Sequence, residues 1–370
     1  MTPSRKQSDN TTLPAWQQLP LQRAQSALAE GRLAHALLIC GAQRIGKRAV
    51  GERLAHSILC RERSAQGAAC GHCRSCVLFA ARTPASAIEV DGDGRSLYPD
   101  GRSGHPDVLT ITFEINEKTD KLRSVISVDQ IRALGQRFAL TPQMGGAQVA
   151  LIVPADGMNA NAANALLKTL EEPMQGRYVL LLTAHPMQLP ATIRSRCQRL
   201  ELQAPHGDDA LGWLVDRGHA DAAASKALVA ARGHPGLAAH WLEDGMLEIR
   251  DRVRADLLGL AAGTSQPLQL ASTWLADAHV AQRIAFAAEA GLELQAMLVG
   301  ASAHDPDPQL GKLTANADFQ KLSAWFDAAN RTRELLSTQI RSDLALGGLL
   351  HDWCEAVSTS SARSNAPSAR

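Results

Sequence analysis

The chain has 370 residues, 45% of them hydrophobic and 20% charged, an ordinary globular balance with room for two or three domains. Aromatics at 4% suit Ala/Leu-rich helices better than an all-β fold, and a formal net charge of +1 excludes a bulk field drawing the whole chain to nucleic acid or membrane. No apolar run reaches roughly 18 residues and no signal core opens the chain, so a cytoplasmic location without a membrane partner is expected; seven cysteines there point to metal binding or burial, not a disulfide framework.

Residues 1–15 form a polar stretch that reads as a disordered leader. From Trp16 to Gly31 apolar residues recur at Leu19, Leu21, Ala24 and Leu28, the spacing of a helix that Glu30-Gly31 stops. Ala36 to Cys40 is a short apolar run expected to be a buried strand, and Ala49 to Leu59 again has helical spacing. Between them lies Gly41 to Arg48. Strand, glycine loop and helix is the setting in which G-x-x-x-x-G-K-[ST] cradles nucleotide phosphates. Gly41, Gly46 and Lys47 are present, but Arg48 stands where a Ser or Thr hydroxyl would hold Mg²⁺. Lys47 with the backbone N–H groups could still hold a phosphate as a point charge. The residues alone leave open weak nucleotide binding or an empty loop.

Cys60, Cys70, Cys73 and Cys76 follow. Four thiolates with two tight turns match a tetrahedral structural Zn²⁺, all of whose positions the protein would fill. An iron–sulfur cluster would want a further cysteine, where the chain has Ala80; His72 could replace one ligand, and unlinked reduced thiols are the bland alternative. Residues 86–104 are rich in Gly, Asp, Ser and Pro and read as an extended loop. Val108 to Phe113 alternates as a strand, Glu114 to Lys121 reads as a charged turn, and a helix runs to Phe138 with Ser127 or Asp129 as its N-cap. Gln148 to Val153 and Tyr178 to Thr183 are expected strands, separated by a helix from Asn159 to Glu172 that Pro173 ends. This alternation predicts an α/β fold with a parallel sheet covered by helices on both faces.

A working phosphate-loop ATPase also needs a carboxylate for Mg²⁺ at the end of a neighbouring strand. Here that place reads Val153-Pro154, and Asp156 beyond it is expected to be a helix N-cap or turn residue. With both Mg²⁺ contacts absent, no intrinsic hydrolysis is expected. From Asp208 onward only helical periods appear, over 210–216, 222–232, 237–260, 278–300 and 319–357, punctuated by His234-Pro235-Gly236 and by Gly263 to Pro267. Residues 358–370 read as a disordered tail.

The stretch Asn164 to Pro173, together with Ile193-Arg194-Ser195-Arg196-Cys197, closely resembles the clamp-loader AAA+ ATPases, where this helix and a Ser-Arg-Cys motif recur. His35 to Leu38, the four-cysteine module, His105-Pro106-Asp107, Ser127 to Arg132 and Thr141-Pro142 extend the resemblance over about residues 16–204. Within that family the chain is similar to members with a zinc module and a Ser-Arg-Cys motif but degenerate nucleotide motifs. Thr183 takes the place of a sensor residue, and Gly236 falls near the second-domain sensor arginine of active members.

The resemblance implies an AAA+ nucleotide-fold domain over 16–204, with a zinc module at 60–76 and an inserted loop at 86–104 that departs from the family. A helical lid over 205–265 and an all-α collar over 266–357 would follow. It implies that Arg196 enters the ATP site of a neighbouring γ/τ subunit and stabilises charge developing on the γ-phosphate. Read without the family, Arg194, Arg196 and Arg199 are a solvated basic edge. The implied partners are γ/τ and δ subunits in a hetero-oligomer and, through that complex, the β sliding clamp and primed DNA. The implied setting is DNA replication, within a DNA-directed DNA polymerase (nucleotidyltransferase) holoenzyme. Zn²⁺ is the implied cofactor, and ATP binding by Gly41, Gly46 and Lys47 is left doubtful. An active γ/τ-type ATPase and a zinc-dependent DNA-binding module are the competing readings.

Overall fold

A computed structural model describes residues 13–84, 101–116, 121–301, 308–336 and 341–358. Most of the expected leader, insertion and tail lies outside the described residues. The chain separates into two units, residues up to 217 together with 233–237, and residues 218–232 together with 238 onward.

The first unit begins with α1 (Ala15–Ala29), β1 (Ala36–Cys40), α2 (Lys47–Leu59) and α3 (Arg74–Ala80). The short strands β2 (Arg82–Thr83), β3 (Arg102–Ser103), β4 (Val108–Ile111), β5 (Ile115–Asn116) and β6 (Lys121–Leu122) come next. Then follow α4 (Val128–Ala139), β7 (Gln148–Ile152), α5 (Ala160–Glu171), β8 (Arg177–Thr183), α6 (Ala191–Arg194), β9 (Gln198–Glu201) and α7 (Gly207–Asp216).

Five strands form one parallel sheet in the order β4-β7-β8-β1-β9. In its register Leu38 lies opposite Leu181 on one side and Arg199 on the other. Successive strand side chains point to opposite faces, so the all-apolar strands feed two cores. Leu37, Ile39, Leu151, Leu180 and Leu182 pack with Leu21 of α1 and with Leu54 and Ile58 of α2. Leu38, Ile152, Val179 and Leu181 pack with Ile131 and Phe138 of α4 and with Leu166 and Leu170 of α5. Each fully buried Leu or Ile contributes about 1.5–3 kcal/mol, so packing holds these short strands and helices together more than local propensity does. The three-layer α/β architecture is the one the strand–helix alternation predicts.

Caps fix where the covering helices start. The Ser127 hydroxyl accepts from Gln130 N, and the Gln130 carboxamide oxygen accepts from Ser127 N at 2.9 Å, a reciprocal capping box. Ser127, not Asp129, is thus the cap of α4. Asn159 Oδ1 accepts from Ala162 N at 2.8 Å and caps α5.

Three local expectations are corrected, and two elements had not been expected. The stretch expected to be a charged turn contains the antiparallel pair β5–β6. The described end of the expected loop at 86–104 is ordered, because β3 pairs antiparallel with β2 and Gly104 N donates to Ala81 O at 2.7 Å. β9 carries a single apolar residue, and α3 is only seven residues long, so neither announces itself. The period over 237–260 breaks in two at Gly245, whose φ of +67° ends one helix and opens the next.

The second unit is helical throughout its described residues. It holds α8 (Asp221–Ala230), most of α9 (Pro235–Glu243), α10 (Met246–Ala261), α11 (Pro267–Leu275), α12 (Val280–Leu298), α13 (Pro308–Gly311), α14 (Phe319–Leu335) and α15 (Ser342–Val357). Three fully buried tryptophans hold it together, each with its indole N–H satisfied. Trp274 donates to Asp256 Oδ2, Trp325 to Leu349 O and Trp353 to Leu257 O, at 2.8, 2.7 and 3.0 Å. Gly291 leaves room for the Trp325 ring, which a Cβ there would strike. Arg250–Glu289 and Arg254–Glu293 tie α10 to α12. Among the described residues no helix is long and apolar enough to cross a membrane.

Candidate functional site

β1 lies between β8 and β9 and delivers the chain to Gly41. Gly41 has φ of +153° and a Cβ there would meet Leu202 O, so the tight exit from the strand requires glycine. Gly46, with φ of +97°, lies on the Gln17 carboxamide, whose Nε2 donates to Ile45 O at 3.0 Å. The loop geometry is therefore intact and propped from α1. Its cation, however, is turned inward. Lys47 Nζ donates to Gly41 O at 2.9 Å and to Ala42 O at 2.6 Å, the carbonyls of its own loop. Burial lowers its pKa from an ordinary 10.5 to about 8, with Asp156 and Cys40 working the other way.

That shift has a measurable consequence. Between about pH 8 and 10.5 the unfolded chain holds this proton more tightly than the folded one, so Lys47 makes stability rise with pH across that window. Lys47→Met is expected to flatten the rise, as read by urea unfolding at pH 8 and pH 10. An identical pH dependence in variant and parent would refute it.

Neither position expected to hold Mg²⁺ offers a ligand. Arg48 Nε donates to Glu52 Oε1 at 2.9 Å one turn along α2, and Glu52 Oε2 also pairs with Arg82. β7 runs out at Val153-Pro154. Asp156 sits in a 3-10 turn and accepts from Thr183 Oγ1 at 2.7 Å, while Thr183 Oγ1 accepts from His185 N at 2.9 Å. Asp156 is thus a turn residue that ties β7 to β8, and Asn159 takes the cap. From the far side residues 233–237 close on the loop. A Cβ at Gly236 would run into the Arg44 carbonyl, and burial lowers the His234 pKa, with the charges of Lys47 and Arg44 adding to the effect.

The four cysteines converge. Their sulfurs all lie within 4.8 Å of one another, with Cys60–Cys73 at 3.9 Å and Cys70–Cys76 at 3.8 Å. Tetrahedral thiolates about 2.3 Å from a zinc ion would stand about 3.8 Å apart, so this donor set fits such an ion. The fold prepares it locally. Cys60 follows α2, Gly71 takes φ of +82° to turn the chain, Cys73 precedes α3 and Cys76 lies in its first turn. Backbone N–H groups already point at sulfur, from Cys70 to Cys60 and from Cys73 to Cys70, both at 3.3 Å. Burial opposes charge on Cys73, but the amides of Arg61 and Cys76 and the neighbouring thiols outweigh it and pull the thiol down to about 6. Ser75 Oγ donates to Leu59 O at 2.8 Å and lies 2.7 Å from His105 Nε2, while Arg61 Nη1 donates to Met144 O at 2.5 Å. These bonds moor the module to the sheet domain.

Arg196 follows α6 at the surface, its side chain 37% exposed. Nη2 pairs with Glu171 Oε1 at 2.7 Å, and Nη1 donates to Thr192 O at 3.0 Å. None of these partners belongs to the loop 41–48. The three arginines do not form one cluster, since Arg199 donates to Cys40 Sγ at 3.2 Å and pairs with Glu201, whereas Arg194 approaches Met187.

Comparison with known proteins places this geometry. A family model described as DNA polymerase III, delta subunit, matches residues 16–206. The chain is 36% identical over 260 residues to the DNA polymerase III subunit δ′ of Pseudomonas aeruginosa, spanning 69% of this chain and 70% of that protein. The chain belongs to the DNA polymerase III δ′ family. It is also 32% identical over 199 residues to the δ′ subunit of Escherichia coli K12, covering 54% of this chain and 51% of that protein. The DNA polymerase III subunit τ of Escherichia coli K12 is more distant, at 29% identity over 179 residues, 48% of this chain and 23% of that protein. The matched segment holds the degenerate loop, the four cysteines and Arg196.

Three features of the site escaped sequence reasoning: the Thr183–Asp156 bond, the Glu171 partner of Arg196 and the Ser75–His105 mooring. Each joins residues at least 25 positions apart, and no local pattern signals such a pair.

Proposed function

We propose that this chain is a non-hydrolysing AAA+ subunit of a bacterial clamp loader. It donates Arg196 to the ATP site of a neighbouring γ/τ subunit and, in a cytoplasmic hetero-oligomer with γ/τ and δ, helps place the β sliding clamp on primed DNA. The observation that carries the reading is Arg48 pairing with Glu52, in a loop whose facing strand ends at Val153-Pro154. A δ′ family member lacking both Mg²⁺ contacts has no means of organising hydrolysis in its own loop. Arg196 meanwhile stands at the surface, and a guanidinium is permanently charged and forks onto phosphate oxygens. The four-cysteine cluster holds a structural Zn²⁺ in this reading, with no position left for substrate. The sheet domain over 16–204, a lid over 205–265 and a collar over 266–357 are its working parts.

The test uses the isolated chain and a reconstituted complex. Alone with Mg²⁺ and ATP the chain is expected to show no turnover. Mixed with γ/τ and δ subunits it is expected to co-elute as one complex, whose ATPase rises on adding clamp and primed DNA. Saturable, Mg²⁺-dependent hydrolysis by the chain alone would instead establish an active γ/τ-type subunit. Salt-sensitive DNA binding lost on chelation would establish a zinc-dependent DNA-binding module.

A further inference from the structure

The ion pair between Arg196 and Glu171 occupies the group that the trans-finger reading needs free. Glu171 is the last residue of α5, and Arg196 lies just past α6. Leu166 and Leu170 of α5 and Ile193 of α6 are buried in one core, so the spacing of the two helix ends is fixed by packing. Lys168, three residues before Glu171, lies on the same helix face and is a ready local partner for the carboxylate. The carboxylate bonds to Arg196 instead.

The geometry also constrains the guanidinium. Nη2 meets an anionic oxygen at 2.7 Å while Nη1 is held by Thr192 O at 3.0 Å and lies 3.5 Å from Ser195 Oγ. A short, charge-assisted bond to one oxygen of a planar anion is the contact a phosphate oxygen would also make. The carboxylate therefore stands in for phosphate. Its hold is weak, because the two side chains are 37% and 49% exposed and solvent screens the pair.

We propose that Glu171 is a positioning residue for Arg196: it parks the finger against its own subunit until the γ-phosphate of a neighbour's nucleotide takes the carboxylate's place. The inference rests on the reading of Arg196 given above. Parking keeps the guanidinium from wandering among its many rotamers, and it makes engagement depend on bound nucleotide. It also makes Glu171 a competitor of the γ-phosphate, and that competition is measurable.

The experiment is the ATP dependence of the ATPase of the complex reconstituted with γ/τ and δ, using the parent chain, Glu171→Gln, Arg196→Ala and the double variant. Glu171→Gln keeps the shape and removes the charge. It is expected to lower the half-saturating ATP concentration about twofold to fivefold, the scale of an exposed ion pair, with little change in kcat. The double variant is expected to match Arg196→Ala, because without the guanidinium the carboxylate has nothing to withhold. A Glu171→Gln complex with the parent's ATP dependence would overturn the proposal. So would an effect that persists in the Arg196→Ala background, or failure of Glu171→Gln to assemble, which would assign the carboxylate to structure. Unchanged turnover in Arg196→Ala alone is a separate result and would remove the trans-finger reading itself.

Discussion

With the proposed structural Zn²⁺ in the four-cysteine module, chelation is expected to lower the thermal midpoint of the chain by on the order of 10 °C and to expose four additional reactive thiols. The reason lies in what the module has for a core. Its buried apolar cluster is Cys60, Cys73 and Cys76, with Ala69 and Cys70 packed beside them, and no Leu, Ile, Val or Phe among them. Phe79, the large apolar residue of α3, belongs to the core beneath the sheet. The module therefore has no apolar core of its own to hold the turn at Gly71 against the start of α3, and a shared ion would supply much of that hold. Structural zinc sites contribute about 10–16 kcal/mol in zinc-finger peptides. Only part of that would be lost here, since Ser75 on Leu59 O and Arg61 on Met144 O still moor the segment. Melting should accordingly be local, with the parallel sheet retained. Cys76, with none of its surface exposed, is the most informative single substitution, and Cys76→Ser should act as chelation does. The checks are metal content by elemental analysis, thiol titration under reducing conditions with and without chelator, and hydrogen exchange over residues 60–81. Equal midpoints and equal thiol counts with and without chelator would sink the metal assignment.

The parts of this architecture legible in the sequence are those whose pattern is local. Ala36 to Cys40 and Gln148 to Ile152 are continuous apolar runs because both faces of a parallel strand are covered, and both strands lie where those runs lie. The four cysteines could be grouped from spacing alone, since three of them fall within seven residues and a metal ion demands convergence. β9 was illegible for the opposite reason. As an edge strand reading Gln198-Arg199-Leu200-Glu201 it is mostly exposed and carries one apolar residue. α11 was masked by the glycine and proline before it, although Pro267 in its first turn is a favoured opening. The Thr183–Asp156 bond and the Arg196–Glu171 pair depend on which strands lie side by side and how α5 meets α6. Those facts are set by the sheet order and the core. A motif could therefore identify Arg196 as a candidate but could say nothing of what holds it.

Replacing Arg196 with Ala should leave the subunit folded and the complex assembled, yet reduce hydrolysis at the neighbouring site it is proposed to serve by roughly 10³-fold or more, the scale of an arginine finger. Folding is expected to survive because the side chain is partly exposed and its ion pair is of the surface kind, worth about 1 kcal/mol at most. The backbone at Arg196 is held independently by Arg196 N donating to Ile193 O at 3.1 Å, a bond alanine keeps. The large effect on rate follows from where the charge is needed. As the γ-phosphoryl group departs, negative charge builds on its oxygens, and a fixed guanidinium stabilises that charge more than it stabilises bound ATP. Total turnover should fall by the share of the sites that Arg196 is proposed to complete, so pre-steady-state hydrolysis is the sharper readout. Arg196→Lys separates charge from geometry, since lysine keeps the charge and loses the planar fork. It is expected to recover a minor part of the rate. Arg194→Ala and Arg199→Ala serve as controls, because Arg199 pairs with Glu201 and Arg194 approaches Met187 within the same chain. Losses of equal size in all three alanine variants would return Arg196 to an undifferentiated basic edge, and an unaltered rate in Arg196→Ala would remove it from the reaction. A deficit confined to Arg196, with partial rescue by lysine, would show that the chemistry surrendered at Arg48 and Val153 is exercised on a neighbour's nucleotide.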